Sequence, residues 1–289
     1  MHLQKKVMRQ LGDRKVSIVI SLFLKTRAVV GGSRDNPNNN TKLFDMCQNV
    51  MKYANSISNK NIQVFLGVNY TEDSDKKCLD YLEKESDRNQ FITFVRRNNN
   101  LGGWSYGLFD YVFRQERDNG YDYFIFYEDD QVSKYGWDEN VISNSIMTME
   151  KNNEIGFFAS IGVNKRDPFK RIGTCSAHNG TGMSSTKILG EVCDKWGQLN
   201  WSKVEGGFIH NGYGDKIQVT GLTRPQMVER ALEFLPQYTE DVTSSYNRKV
   251  QAAFSEVDFT DSICKLGYGI YEEKGGPGGK GVLHWRTAK

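Results

Sequence analysis

The sequence predicts an α/β protein: a mostly parallel sheet flanked by helices, with an elaborated carboxyl-terminal half. Three observations predict it. Apolar runs rich in β-branched and aromatic residues recur at 16–23, 62–68, 91–95, 121–127 and 155–163, and strands that apolar suit burial on both faces. Between them lie segments with apolar residues at helical spacing, the alternation that joins parallel strands by crossover helices. The loops after four of the strands are polar or glycine-rich, and in open α/β sheets ligands gather at those loops.

The first strand ends in "KTR", and the loop "GGSRDNPNNNT" leads to a helix with Leu43, Cys47, Val50, Met51 and Ala54 on one face. The second strand passes through "NYTEDSD" into a helix carrying Cys78, Tyr81 and Leu82. After the third, "RRNNNLGG" opens a helix with Trp104, Leu108, Tyr111 and Val112, where Trp104 reads as a core aromatic. The fourth strand is followed by a helix marked by Val141, Ile142, Ile146 and Met149. Residues 164–200 are poorly patterned, and "HNGTGMSST" within them reads as a turn. Further on, Asn211-Gly212 predicts a tight hairpin turn, and Thr223 with Gln226 predicts a capping box before a helix through Met227, Ala231, Leu232 and Leu235. Phe259, Ile263, Cys264 and Leu266 predict a last helix closed by Gly267, after which a flexible glycine stretch leads to His284.

Composition narrows the class. The formal net charge of +3 is too mild to imply an obligate nucleic-acid or membrane partner. Cys47, Cys78, Cys175, Cys193 and Cys264 are odd in number and form no CxxC pair, a pattern of reduced, buried thiols rather than of a disulfide frame or a zinc site. No apolar run approaches the roughly 20 residues of a membrane span, and the start carries charges without a signal-type apolar region. The expectation is a soluble, cytoplasmic protein.

Chemistry concentrates in "YDYFIFYEDDQV", where the fourth strand runs into Glu128, Asp129 and Asp130. Consecutive acids against a buried strand repel one another and lose hydration. A hard divalent cation with oxygen ligands relieves both.

Four separated elements then share one pattern: "NNNLGG", "YEDD", "SEVDFTDSICKLGY" and the late His284. In that order they resemble the N-x-G turn, the acidic metal motif, the acidic helix and the late histidine of nucleotide-sugar-dependent glycosyltransferases of the GT-A fold, of the inverting family-2 type. The resemblance runs loosely from Val16 to His284. It implies a single domain over 1–289, with 14–135 holding the nucleotide sugar and 136–289 the acceptor. It further implies Mn²⁺ or Mg²⁺ ligated by Asp130, with Glu128 and His284 alongside, and an NDP-sugar donor, UDP-linked by first expectation. Glu128 and Asp129 would contact ribose or metal-bound water, Asn69, Glu72 and Asp73 the nucleoside, and Asn100 and Gly102 form the N-x-G turn. Lys280, in "GGPGGKG", would meet the diphosphate as that segment orders over it. Glu256 stands at the catalytic-base position, with Asp258 as the other acid of the pair.

The chain departs from the pattern twice. The usual Glu-Asp pair reads Ser255-Glu256, and no Arg-Asn pair follows the N-x-G turn. The acceptor class stays open among a glycan, a lipid-linked sugar, a protein and a hydroxymethylated DNA base, as does the oligomeric state. The alternative reading is a carbohydrate- or nucleotide-sugar-binding protein of the same fold without turnover. A nucleotidyltransferase would call for a glycine- and lysine-rich loop after the first strand, which "SLFLKTR" does not supply.

Overall fold

The computed structural model describes residues 11–24, 40–70, 74–98, 104–161, 163–164, 176–177, 180–199, 208–210, 216–218, 226, 229, 232–233, 239, 259–260, 262–273 and 281–284. The elements run β1 (Val16–Leu22), α1 (Asn40–Ser56), β2 (Ile62–Tyr70), α2 (Lys76–Ser86), β3 (Ile92–Asn98), α3 (Trp104–Glu116), β4 (Tyr123–Glu128), the single turn α4 (Val132–Tyr135), α5 (Glu139–Lys151) and β5 (Ile155–Ala159). There follow β6 (Val163–Asn164), β7 (Ser176–Ala177), β8 (Gly182–Ser185), α6 (Thr186–Trp196), β9 (Phe208–His210), β10 (Lys216–Gln218), β11 (Gly269–Glu273) and β12 (Gly281–His284). Residues 259–260 and 262–265 are helical.

Eight strands form one mixed sheet in the order β12-β11-β5-β8-β4-β1-β2-β3. β1 pairs in parallel with both β2 and β4, β2 with β3, and β5 with β11; β8 runs antiparallel to β4 and β5, and β12 to β11. The chain thus lays down β1, β2 and β3 in one direction and then returns to the other side of β1 with β4. That reversal is a topological switch point, where a crevice opens at the carboxyl ends of the strands.

Side chains alternate between the faces of each strand, so two apolar layers result. On one face Ile18, Val64, Leu66, Ile125 and Tyr127 meet Cys47, Val50, Leu79, Leu82, Ile142 and Ile146 of α1, α2 and α5. On the other, Val19, Phe65, Phe124 and Phe126 meet Leu108, Phe109 and Phe113 of α3, Leu189 and Val192 of α6, and Phe259 and Ile263. Short polar side chains start the helices: Asp75 accepts from Cys78 N at 2.8 Å, Asp138 from Val141 N at 2.8 Å and Ser185 from Ile188 N at 3.3 Å.

The first four strands and their helices stand where the sequence places them, with β2 and β3 each reaching further toward the carboxyl end, whereas β5 stops at Ala159 instead of running on to Val163. "HNGTGMSST" needs correction, because it contains β8, a buried strand wedged between β4 and β5. A four-residue strand rich in glycine and serine carries no apolar run to betray it. Gly182 is what lets it fit: φ is +146°, and a Cβ there would lie 2.1 Å from Phe158 O. β11 and β12 were also unforeseen, since the glycine stretch masked their pairing. The hairpin of β9 and β10 is present, with His210 paired with Lys216 and residues 211–215, which include the expected Asn211-Gly212 turn, between them. Those residues, and most of the helix expected after Thr223, lie outside the described residues.

Gly182→Ala is expected to cost about 2–5 kcal/mol, combining backbone strain with overpacking. Gly197→Ala is the control: φ is +85° but nothing lies within 4 Å, so only the left-handed backbone penalty of about 1–2 kcal/mol applies. Urea unfolding of the two variants checks this, and equal losses would contradict the wedge role of β8.

Candidate functional site

The three acids lie where β1 and β4 part. Ser21 is opposite Glu128 in the parallel ladder, and the Asp129 N–H donates to Ser21 O at 3.0 Å. Each acid has a different environment. Asp129 is 3% exposed, and its Oδ2 accepts from Phe23 N at 2.8 Å. The middle carboxylate thus supplies the partner that Phe23 N would otherwise lack as β1 leaves the sheet, and it ties the two strands at the switch point. Asp130 is exposed and Glu128 partly so. Gln131, 4% exposed, lays its amide on Glu128, with Nε2 donating to Oε2 at 3.2 Å and Oε1 accepting from Glu128 N at 3.5 Å.

Alternation sends Glu128 to the α3 face of the sheet and Asp129 to the α1 face. On the α3 face a polar run crosses the carboxyl ends of four strands. Glu128 neighbours Ser21, Ser21 Oγ accepts from Asn69 Nδ2 at 3.4 Å, and Asn69 Oδ1 accepts from Arg97 Nη1 at 3.1 Å. Asn69 is 1% and Arg97 6% exposed. Asn69, expected to touch the nucleoside, is therefore a strut beneath the crevice whose amide is engaged at both ends. Arg97 also acts on Asp110 of α3, whose carboxyl burial pushes up while Leu199 N–H, Arg114 and Arg97 pull it down. Arg97 is thus a buried cation on β3, held by Asn69 and balanced by Asp110.

Under the α1 face sit two neighbouring thiols, Cys47 and Cys78. Burial raises both, Cys47 far above the usual thiol range and Cys78 to about 11, with Asp75 adding to the latter. Both thiols are thereby held in the neutral form at pH 7. Cys193 and Cys264 are also buried thiols, in keeping with the reading of cysteines as small apolar residues. Cys175 lies outside the described residues.

Phe259 packs the helical residues 259–260 and 262–265 against the α3 face of the sheet. Its ring packs 5.3 Å from Phe126, 5.7 Å from Tyr106 and 6.0 Å from Phe157. Glu256 and Asp258 precede it in sequence, but they lie outside the described residues, as do Glu72, Asp73, Asn100, Gly102 and Lys280. The backbone of His284 is in β12, opposite Ile270; its side chain lies outside the description, and so does that of Trp104. Among the described residues, no three His, Cys, Asp or Glu side chains converge into a ready metal cage. The acids still fit a cation that keeps several waters and takes one or two carboxylates together with substrate phosphates, as Mg²⁺ does. Three residues of this region escaped sequence reading: Gln131, Arg97 and Ser21. The signals were a glutamine directly after the acids and polar residues on strand ends that otherwise read as core.

No family model and no curated protein matches this chain. Among the described residues, no helix is long and apolar enough to cross a membrane.

The division of labour among the acids is testable by stability. Asp129→Ala removes a buried acceptor from Phe23 N and should lower stability by about 1–3 kcal/mol. Asp130→Asn alters an exposed side chain and should stay within about 0.5 kcal/mol of wild type. Urea melts with the opposite ranking would contradict the assignment.

Proposed function

We propose that this protein is a metal-dependent inverting glycosyltransferase that moves a sugar from an NDP-sugar, UDP-linked by first expectation, to an acceptor hydroxyl. One observation carries the reading: the acidic turn stands at the carboxyl ends of β1 and β4, at the switch point of the sheet, where open α/β folds bind ligands. Asp130, exposed, and Glu128, oriented by Gln131, are the carboxylates that would hold Mn²⁺ or Mg²⁺; His284, the further ligand implied by the resemblance, has its backbone on β12, four strands from β4 and roughly 19 Å away by strand spacing, too far to join them. Bound there, the cation would offset the charge that develops on a diphosphate leaving group.

The chain's own residues would do the rest. Asp129 holds the turn against β1, and the Ser21–Asn69–Arg97 run keeps the floor rigid, so the carboxylates meet the donor preorganised rather than paying for order at binding. Glu256 is the proposed base: it takes the proton of the acceptor hydroxyl as that oxygen bonds to the anomeric carbon and the bond to the diphosphate breaks on the opposite side. Asp258 is proposed to brace the segment ahead of Phe259. Lys280 is proposed to meet the diphosphate.

Asp130→Asn should abolish metal-dependent UDP binding and sugar transfer while the fold persists. Calorimetry with and without EDTA checks this, and wild-type UDP affinity indifferent to EDTA would contradict the metal role. Glu256→Gln should lower kcat by roughly 10² or more at nearly unchanged donor affinity. Turnover of UDP-sugars in the presence of Mn²⁺ reads it out. If Asp258→Asn eliminates transfer while Glu256→Gln retains it, the two roles are exchanged.

A further inference from the structure

We infer that Tyr70 is the aromatic platform on which the nucleobase of the donor stacks; this rests on the glycosyltransferase reading and deepens it. Tyr70 ends β2 and is 37% exposed, whereas Leu66 and Val68, which precede it on the same face, are fully buried. Among the described residues, Leu232 is the other large apolar side chain so exposed. A single exposed aromatic needs no explanation by itself. Its position supplies one.

The parallel ladder between β1 and β2 stops at Leu22 and Val68, but that between β2 and β3 continues through Asn69–Arg97 to Tyr70–Asn98. β2 therefore projects past β1 while its backbone stays paired on the β3 side, which makes Tyr70 a rigid post and not a loop residue. Alternation puts its side chain on the face of Val64, Leu66 and Val68, the face to which Asp129 also points. Ser21 is opposite Glu128 and Leu22 opposite Val68, so Tyr70 stands two strands across from Asp129 and two residues further along. With the usual strand spacing and rise, the two backbone positions are about 12 Å apart. A diphosphate, a ribose and a base in series span a comparable distance. With the diphosphate at the acids, the base arrives at Tyr70.

The neighbouring polar side chain does not compete for the base. Asn69 points to the other face, and its amide is engaged with Ser21 and Arg97. What Tyr70 offers a base is a ring face, and every nucleobase has one. Recognition here is by stacking.

The test is calorimetry in Mn²⁺ with UDP, CDP, GDP and inorganic pyrophosphate as probes, on wild type and on Tyr70→Ala, Tyr70→Phe and Tyr70→Trp, each checked for folding by urea melts. Tyr70→Ala should weaken all three nucleotides by a similar factor, about 10- to 100-fold, the scale of base–aromatic stacking. Pyrophosphate should bind it as it binds wild type, and Phe or Trp should restore nucleotide affinity. Nucleotide affinity unchanged in Tyr70→Ala overturns the platform and leaves the glycosyltransferase reading standing. Equal losses of UDP and pyrophosphate, or a loss in Tyr70→Phe as large as in Tyr70→Ala, also overturn it, since the role would then be structural or belong to the hydroxyl. Wild type binding no nucleotide in Mn²⁺ would remove the donor reading itself, and Tyr70 with it.

Discussion

The hydrogen bond from Phe23 N to the buried Asp129 carboxylate holds the parting of β1 and β4, and much of this protein depends on that parting. β4 is buried on both faces, with Phe124, Ile125, Phe126 and Tyr127 all fully enclosed. A strand in that setting can carry charge only where it leaves the sheet. β1 loses its ladder partners at the same level, so a backbone donor and a carboxylate with little access to water satisfy each other. Asp130 and Glu128 are thereby presented at the rim. The repulsion that looks costly in "EDD" is relieved by giving one acid to the fold and leaving the other two at the rim.

That resolution also explains which parts of the fold were legible in the sequence. β1 to β5 and their helices could be read because long apolar runs and helical stripes leave few alternative burials. β8 could not, since four residues of Gly-Met-Ser-Ser become a strand only through the space between β4 and β5, and Gly182 accepts a backbone geometry no other residue would. β11 and β12 follow the same logic: pairing with β5 makes them strands, not their own composition. At the site, the acids were legible as a group but not in their division, because which carboxylate turns inward depends on strand parity and on where β1 ends. Asn69 was expected at the ligand, yet parity turns it toward Ser21 and Arg97 and leaves Tyr70 exposed in its stead.

The two faces of the sheet contribute differently to the crevice. On the α3 face, Ser21, Asn69 and Arg97 form a run that is buried but bonded from one side chain to the next beside the partly exposed Glu128, the condition under which buried polar groups rigidify a structure rather than weaken it. On the α1 face, neutral thiols and aliphatic side chains back Asp129 with an apolar wall. Phe259 packs onto the first face as well. At the opposite, amino end of the strands, a cavity of about 500 Å³ is lined by Asn59, Asn61, Asp138 and Glu139, but Glu139 is already engaged by Ser58 N and Asn59 N at 2.7 and 2.8 Å.

The two ends of the sheet give the account its most direct test. Crystals soaked with UDP and Mn²⁺, with manganese located by anomalous scattering, would place the ion and the nucleotide together. The account predicts manganese against Asp130 and Glu128 at the parting of β1 and β4, with the diphosphate beside it. Manganese and nucleotide in the amino-end cavity by Asn59 and Glu139, or nucleotide density away from the acids, would contradict it.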